Sequence, residues 1–154
     1  MIVTSCCYIF KDHQVLLLHR VKKENDINEG KWIGVGGKLQ NESIEECLLR
    51  EVKEETSLIL NSYQLKGIIL FPNMYHGEDE LMYLYTSNDF SGVLTENCNE
   101  GILEWIDLDQ VTQLNMWEGD HHFFDWFKDD CLHFACIKYE GDQVTEYQHI
   151  KSQR

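Results

Sequence analysis

Polar and apolar positions change period several times along the chain, and each change marks an element. Ile2–Phe10 (IVTSCCYIF) and Gln14–Val21 (QVLLLHRV) are rich in apolar and β-branched residues, with KDHQ between them. This pattern predicts a β-hairpin. VKKENDINEG is polar and reads as a loop; KWIGVGGKL follows, its three glycines permitting close approach to a ligand. From Ser43 to Thr56 the period becomes helical: Ile44, Cys47, Leu48 and Val52 recur on one face. Ser43 followed three residues later by Glu46 is a capping box. YQLKGIILF and ELMYLYTSNDF read as strands joined by PNMYHGED. ILEWIDLDQV predicts a short strand entering a helical turn, EGDHHFFDWFKDD a helix, and CLHFACIKYEGDQVTEYQHI a hairpin turning at Glu140–Gln143. Strands flanking isolated helices, without repeated βαβ units, predict an α+β domain: a mixed sheet packed by helices.

No repeat, low-complexity tract or Pro/Gly/Ser linker divides the 154 residues, so one domain over 1–154 is expected. No apolar run approaches a membrane span, and no basic segment followed by a long apolar core begins the chain. Twenty-seven acidic against 13 basic residues give a formal charge of −14. Binding to a nucleic acid polymer needs a basic surface, so that class is excluded. The charge suits a protein that holds divalent cations and uses them to meet an anionic substrate. The six cysteines form no C-x-x-C pair, which predicts reduced thiols and a cytoplasmic location rather than disulfides or a zinc site.

Glu51, Glu54 and Glu55 crowd one helical surface beside the apolar stripe. Like charges three and four apart destabilise a helix, so a cation is the expected compensation. Three carboxylates at i, i+3 and i+4 supply hard oxygen ligands suited to Mg²⁺, with Mn²⁺ as a substitute. Arg50 can grip a glutamate through a bidentate fork and fix its rotamer. His121 and His122, adjacent on a predicted helix, point about 100° apart and are not expected to share an ion.

From Gly36 the chain reads GGKLQNESIEECLLREVKEETSL. This resembles the Nudix box, with Gly36, Glu42, Arg50, Glu51, Val52, Glu54, Glu55 and Leu58 at matching positions. Ser57 stands where that family has a glycine that ends the helix. Counted from Gly37, the loop before Glu42 is one residue short. Either the loop is tightened or the register starts at Gly36, and which glycine carbonyl faces the metal is open.

The likeness extends over nearly the whole chain and is greatest to the MutT-type branch that hydrolyses oxidised purine nucleoside triphosphates. It implies the Nudix fold, a mixed sheet sandwiched between helices, and hydrolysis to monophosphate and pyrophosphate by water attacking in line, at the β-phosphorus. The implied metal ligands are Gly36, Glu51, Glu54, Glu55 and Glu100. Glu51, Glu54 or Glu100 could act as the base, with Arg50 in support. Lys38, and secondarily Lys23, match positions near the phosphates. Trp117 matches the ring that stacks on the purine, and Asp120 one of two acids that read its edge. The second acid falls at Gly119, and a polar asparagine of the family falls at Ile33. Phe71 and Met82 sit on predicted strands, as pocket wall or as plain core, with core expected for at least one. The implied role is removal of damaged nucleotides by a monomer, with a dimer as the alternative. The competing expectations are another substrate on the same core (an ordinary dNTP, a dinucleoside polyphosphate, a nucleotide sugar) or a non-catalytic nucleotide-binding module.

Overall fold

Alternation along the first hairpin decides which residues face each side of the sheet. In the computed structural model, which describes residues 1–154, strands β1 (Ile2–Lys11) and β2 (Gln14–His19) pair antiparallel around a turn at Asp12 and His13. Cys7, Ile9, Leu16 and Leu18 point to one side and pack with Leu48 and Val52 of helix α1 (Ile44–Thr56). Tyr8, Val15 and Leu17 point to the other and pack with Phe123 and Trp126 of helix α2 (His121–Trp126). The helices therefore cover opposite faces, as expected. Each such side chain, buried, contributes roughly 1.5–3 kcal/mol.

The rest of the sheet is β3 (Trp32–Ile33), β4 (Val35–Lys38), β5 (Ile59–Tyr75), β6 (Glu78–Ser91), β7 (Ile102–Asp107), β8 (Cys131–Glu140) and β9 (Gln143–Gln153). Nine strands run in the order β3-β2-β1-β6-β5-β8-β9, with β4 pairing on β1 and β7 on β2. β1 lies parallel to β6 and β5 parallel to β8, which makes the sheet mixed.

Three elements differ from the sequence reading. The connection predicted at 72–79 is mostly strand: β5 runs through Pro72 to Tyr75, and His76–Gly77 alone make the turn. Pro72 is tolerated because the ladder is irregular between Phe71 and Tyr75, and positive φ at His76 and Gly77 suits a two-residue hairpin. KWIGVGGKL breaks at Gly34 into β3 and β4, which pair with different strands. The helix expected over 118–130 is a 3₁₀ turn at Glu118–Asp120 followed by the six residues of α2. It stops because Asp129 turns back, accepting from the Cys131 amide (2.8 Å), pairing with His133 (2.9 Å) and holding Lys66.

Candidate active site

Helix α1 starts on the anticipated capping box: Glu46 N–H donates to Ser43 Oγ and Ser43 N–H to Glu46 Oε1, each at 3.1 Å. It ends at Ser57, whose φ of 67° is left-handed, with its N–H donating to Lys53 O at 2.9 Å. Serine thus takes the role of the glycine, at an expense of roughly 1–2 kcal/mol in backbone strain. Arg50 offsets part of the like charge, reaching Glu51 and Glu54 but not Glu55. Its Nε and Nη2 grip Glu42, with the Nη2–Oε1 contact at 2.5 Å, and its Nη1 donates to Glu51 (2.8 Å) and Glu54 (3.2 Å). The hydrogen bonds from Arg50 lower the pKa of Glu42 from its usual value. The sequence anticipated one glutamate for Arg50; the structure gives it three.

Both glycines of the pair are needed, for different reasons. A Cβ on Gly36 would strike Ser5 of β1, and one on Gly37 would lie 2.4 Å from the Glu51 carboxyl carbon. Gly36 N–H donates to Glu55 Oε2 at 3.3 Å, while the Gly37 carbonyl accepts the Cys47 thiol at 3.7 Å. Gly36 is thus the glycine that meets the buried Glu55. Burial raises the pKa of Glu55 well above the usual value, and Glu100, which shares a hydrogen bond with it, and Glu51 raise it further. Burial likewise raises Glu51, against the pull of Arg50.

A cleft of about 380 Å³ runs beside this cluster. Its walls include Glu51, Glu100, Gly36, Lys23 and Lys38, and also Ile33, Phe71, Met82, Trp117 and Asp120. Glu54 is exposed and Glu55 buried, and neither forms part of the cleft wall. Phe71 and Met82 serve both as core and as wall. Trp117 is fixed by its Nε1–H donating to Asn28 Oδ1 at 2.7 Å, with Tyr139 edge-on at 5.1 Å and Lys31 Nζ 4.7 Å over the ring. Burial pushes Asp120 up to about 8, with Glu80 adding and Lys31 opposing, so its carboxyl is largely protonated at neutral pH. Lys38 lies 4.1 Å over the Tyr75 ring. His122 stacks on Tyr147 and His121 lines a separate cavity, so neither joins the cleft.

Sequence reading missed Arg20, Asn28, Glu80 and Tyr139, all of which line the cleft. Glu80 was within reach, because it alternates in step with Met82 on a predicted strand and so shares its face. Tyr139 explains Gly119: its hydroxyl accepts from Gly119 N–H at 2.7 Å and would meet any Cβ there at 2.6 Å.

The donor set fits a hard divalent cation. Glu55 has one amide donor and faces two further carboxylates, an excess of negative charge that a cation relieves. A second trio, His13, Asp107 and Asp109, could also offer ligand atoms, but it lies on the surface and not in the cleft.

Residues 2–127 match the NUDIX domain family. The chain is 29% identical over 155 residues, 94% of each protein, to the uncharacterized Nudix hydrolase YvcI of Bacillus subtilis. It is 30% identical over 130 residues to the oxidized purine nucleoside triphosphate hydrolase of Danio rerio, covering 82% of this chain and 81% of that one. Among solved structures, the mutator MutT protein of Bacillus halodurans superposes with a TM-score of 0.85 over 97% of both chains, at 28% identity. β8 and β9 lie beyond the matched residues yet extend the same sheet and supply Tyr139 to the cleft. With the family match covering most of its length and these relatives over nearly all of it, the chain belongs to the Nudix family as a MutT-type pyrophosphohydrolase.

Proposed function

We propose that this chain, working as one 154-residue domain, hydrolyses purine nucleoside triphosphates to monophosphate and pyrophosphate, with oxidised purines preferred. The observation that carries this is a single cleft whose walls bring Glu51 and Glu100 together with Trp117 and a protonated Asp120. Glu51, Glu54, Glu55 and Glu100, with the Gly36 carbonyl, would hold Mg²⁺, or Mn²⁺ in its place. When bound, such an ion neutralises polyphosphate charge and acidifies a water.

The chain's own groups supply the rest. Lys38 and Lys23 meet the phosphates. Trp117 stacks on the base, contributing about 1–3 kcal/mol. Neutral Asp120 both donates to and accepts from the base edge, and the Tyr139 hydroxyl, which accepts from Gly119, has its own proton free for an acceptor on the base. Glu54, exposed and held at one oxygen by Arg50, accepts the proton of the attacking water, with Glu51 or Glu100 as the alternative base. In-line attack at the β-phosphorus breaks its bond to the α–β bridging oxygen: the monophosphate leaves with that oxygen, and the water oxygen ends in pyrophosphate. The role that follows is cytoplasmic sanitation of the nucleotide pool in support of DNA repair, by a monomer.

A second reading, an ordinary nucleotide or other nucleoside diphosphate-linked substrate, is favoured by one observation: apolar Ile33 lines the cleft where a hydrogen-bonding side chain would discriminate between bases. The test is kcat/KM for oxidised against ordinary purine triphosphates with Mg²⁺. A ratio well above one supports sanitation, and a ratio near one leaves the second reading. Failure to release pyrophosphate from any nucleoside triphosphate, together with failure to release monophosphate from any diphosphate-linked nucleotide, refutes both.

A further inference from the structure

Arg20 follows β2 and is buried, yet it ends in charge. Its backbone is pinned on both sides, with Arg20 N–H donating to Lys31 O at 3.0 Å and Arg20 O accepting from Gly30 N–H at 2.7 Å. Its guanidinium divides between two carboxylates from different loops. Nε donates to Asp26 Oδ2 at 2.7 Å and Nη1 to Glu100 Oε2 at 3.1 Å. The Asp26 side chain is at least as buried as that of the arginine, while Glu100 is about one-third exposed. The other Asp26 oxygen accepts from Asn28 N–H at 3.3 Å, and Asn28 holds the Trp117 ring. One unbroken set of polar contacts therefore joins Trp117 to Glu100.

Glu100 needs such a partner. Its backbone is fixed against β2: Lys22 N–H donates to its carbonyl at 3.4 Å, and a Cβ on Gly101 would overlap His19 O. Its side chain, however, faces two further carboxyl groups, Glu51 and Glu55, each of which its negative charge disfavours in the ionised form. A partly exposed carboxylate so placed turns to water unless a donor holds it. Arg20 is that donor, and its planar fork suits a two-carboxylate grip that a lysine ammonium reproduces poorly.

We propose that Arg20 is a positioning residue: it holds Glu100 beside the α1 glutamates and is itself held by Asp26. This rests on the reading of Glu100 as part of the metal site. Charge and position predict opposite signs. Arg20 is a cation near a cation site, so if it acted by charge alone its removal would tighten metal binding. If it positions Glu100, its removal weakens binding.

The experiment uses the full chain carrying Arg20→Met, Arg20→Lys, and Arg20→Met with Asp26→Asn, the last avoiding an orphaned buried carboxylate should the first not fold. Mn²⁺ affinity is read by electron paramagnetic resonance without nucleotide, and kcat and KM are measured separately. Metal affinity and kcat should each fall on the order of 10–100-fold, as for other partners of metal ligands, with KM little changed and the lysine variant rescuing only in part. In a Glu100→Gln background Arg20→Met should add almost nothing, because the two substitutions remove one interaction. Tighter or unchanged Mn²⁺ binding, a lower Tm with normal kcat, or fully multiplicative effects would overturn the inference while leaving the metal site standing. A harmless Glu100→Gln would instead overturn the reading of Glu100, and this inference with it.

Discussion

Glu51, Glu54 and Glu55 come from under two turns of one helix, whereas Asn28, Glu80, Tyr139 and the pair Trp117 and Asp120 come from four separate stretches of the chain. The first group is set by helical spacing and held by a neighbour in sequence, Arg50. The second exists only once the sheet is assembled: β6 brings Glu80, β8 brings Tyr139, and the loop after β2 brings Asn28 to the tryptophan. The two groups also differ in charge. The helix group gathers carboxylates that await compensation, while the aromatic group buries an acid that stays neutral. On the proposed function the carboxylate group serves the bond that breaks and the aromatic group the molecule that is chosen, so substitutions in each should separate kinetically.

Glu54→Gln should give the largest effect, a fall in kcat of roughly 10²–10⁴-fold, with KM for nucleotide little changed. An equal rise in KM would join the two groups functionally and break the comparison. Trp117→Ala should do the converse, raising KM on the order of 10–100-fold through lost stacking while kcat holds. Steady-state kinetics on one purine triphosphate reads both.

Asp120 sharpens the distinction through pH. Its pKa of about 8 lies far above that of a free aspartate, so between roughly pH 4 and 8 the folded protein keeps a proton that the unfolded chain has released. Its effect on stability is therefore greatest on the acid side, declines as pH rises towards 8, and is level above. As pH passes through about 8 the folded protein releases that proton and, on the proposed function, the donor to the base with it, so KM should rise about tenfold on crossing pH 8. Asp120→Asn, which keeps a donor at every pH, should flatten that rise in a KM–pH profile. The smallest effect falls outside the cleft: Ser57→Gly should relieve the left-handed strain and raise stability by about 1 kcal/mol, a Tm increase of roughly 2–4 °C in a thermal melt, with kinetics unchanged.

How much could be read in advance follows the same division. The box residues were legible because a helix converts spacing into proximity, and the first hairpin because alternation tells the two faces apart. Phe71 and Met82 were identified as strand residues, but their double duty as core and wall depends on which strands become neighbours. Arg20 gave no sign, since a charged residue after an apolar strand is ordinary until Asp26 and Glu100 are seen on either side of it. Gly119 was read as a lost acid. Its meaning depends on Tyr139, 20 residues away in sequence, whose hydroxyl occupies the space. Helix α2 came out shorter than its pattern because Asp129 is engaged by Lys66 and His133, contacts that helical periodicity does not encode.

The central claim is that the crowded glutamates of α1 are tolerated because they grip a divalent cation that holds a nucleotide's phosphates. Anomalous diffraction from a crystal soaked with Mn²⁺ and a non-hydrolysable purine triphosphate tests it most directly. The account predicts a manganese peak among Glu51, Glu54, Glu55 and Glu100, bridged to the phosphates, with the base on Trp117. A peak only at His13, Asp107 and Asp109, or none beside α1 while nucleotide is bound, would contradict it.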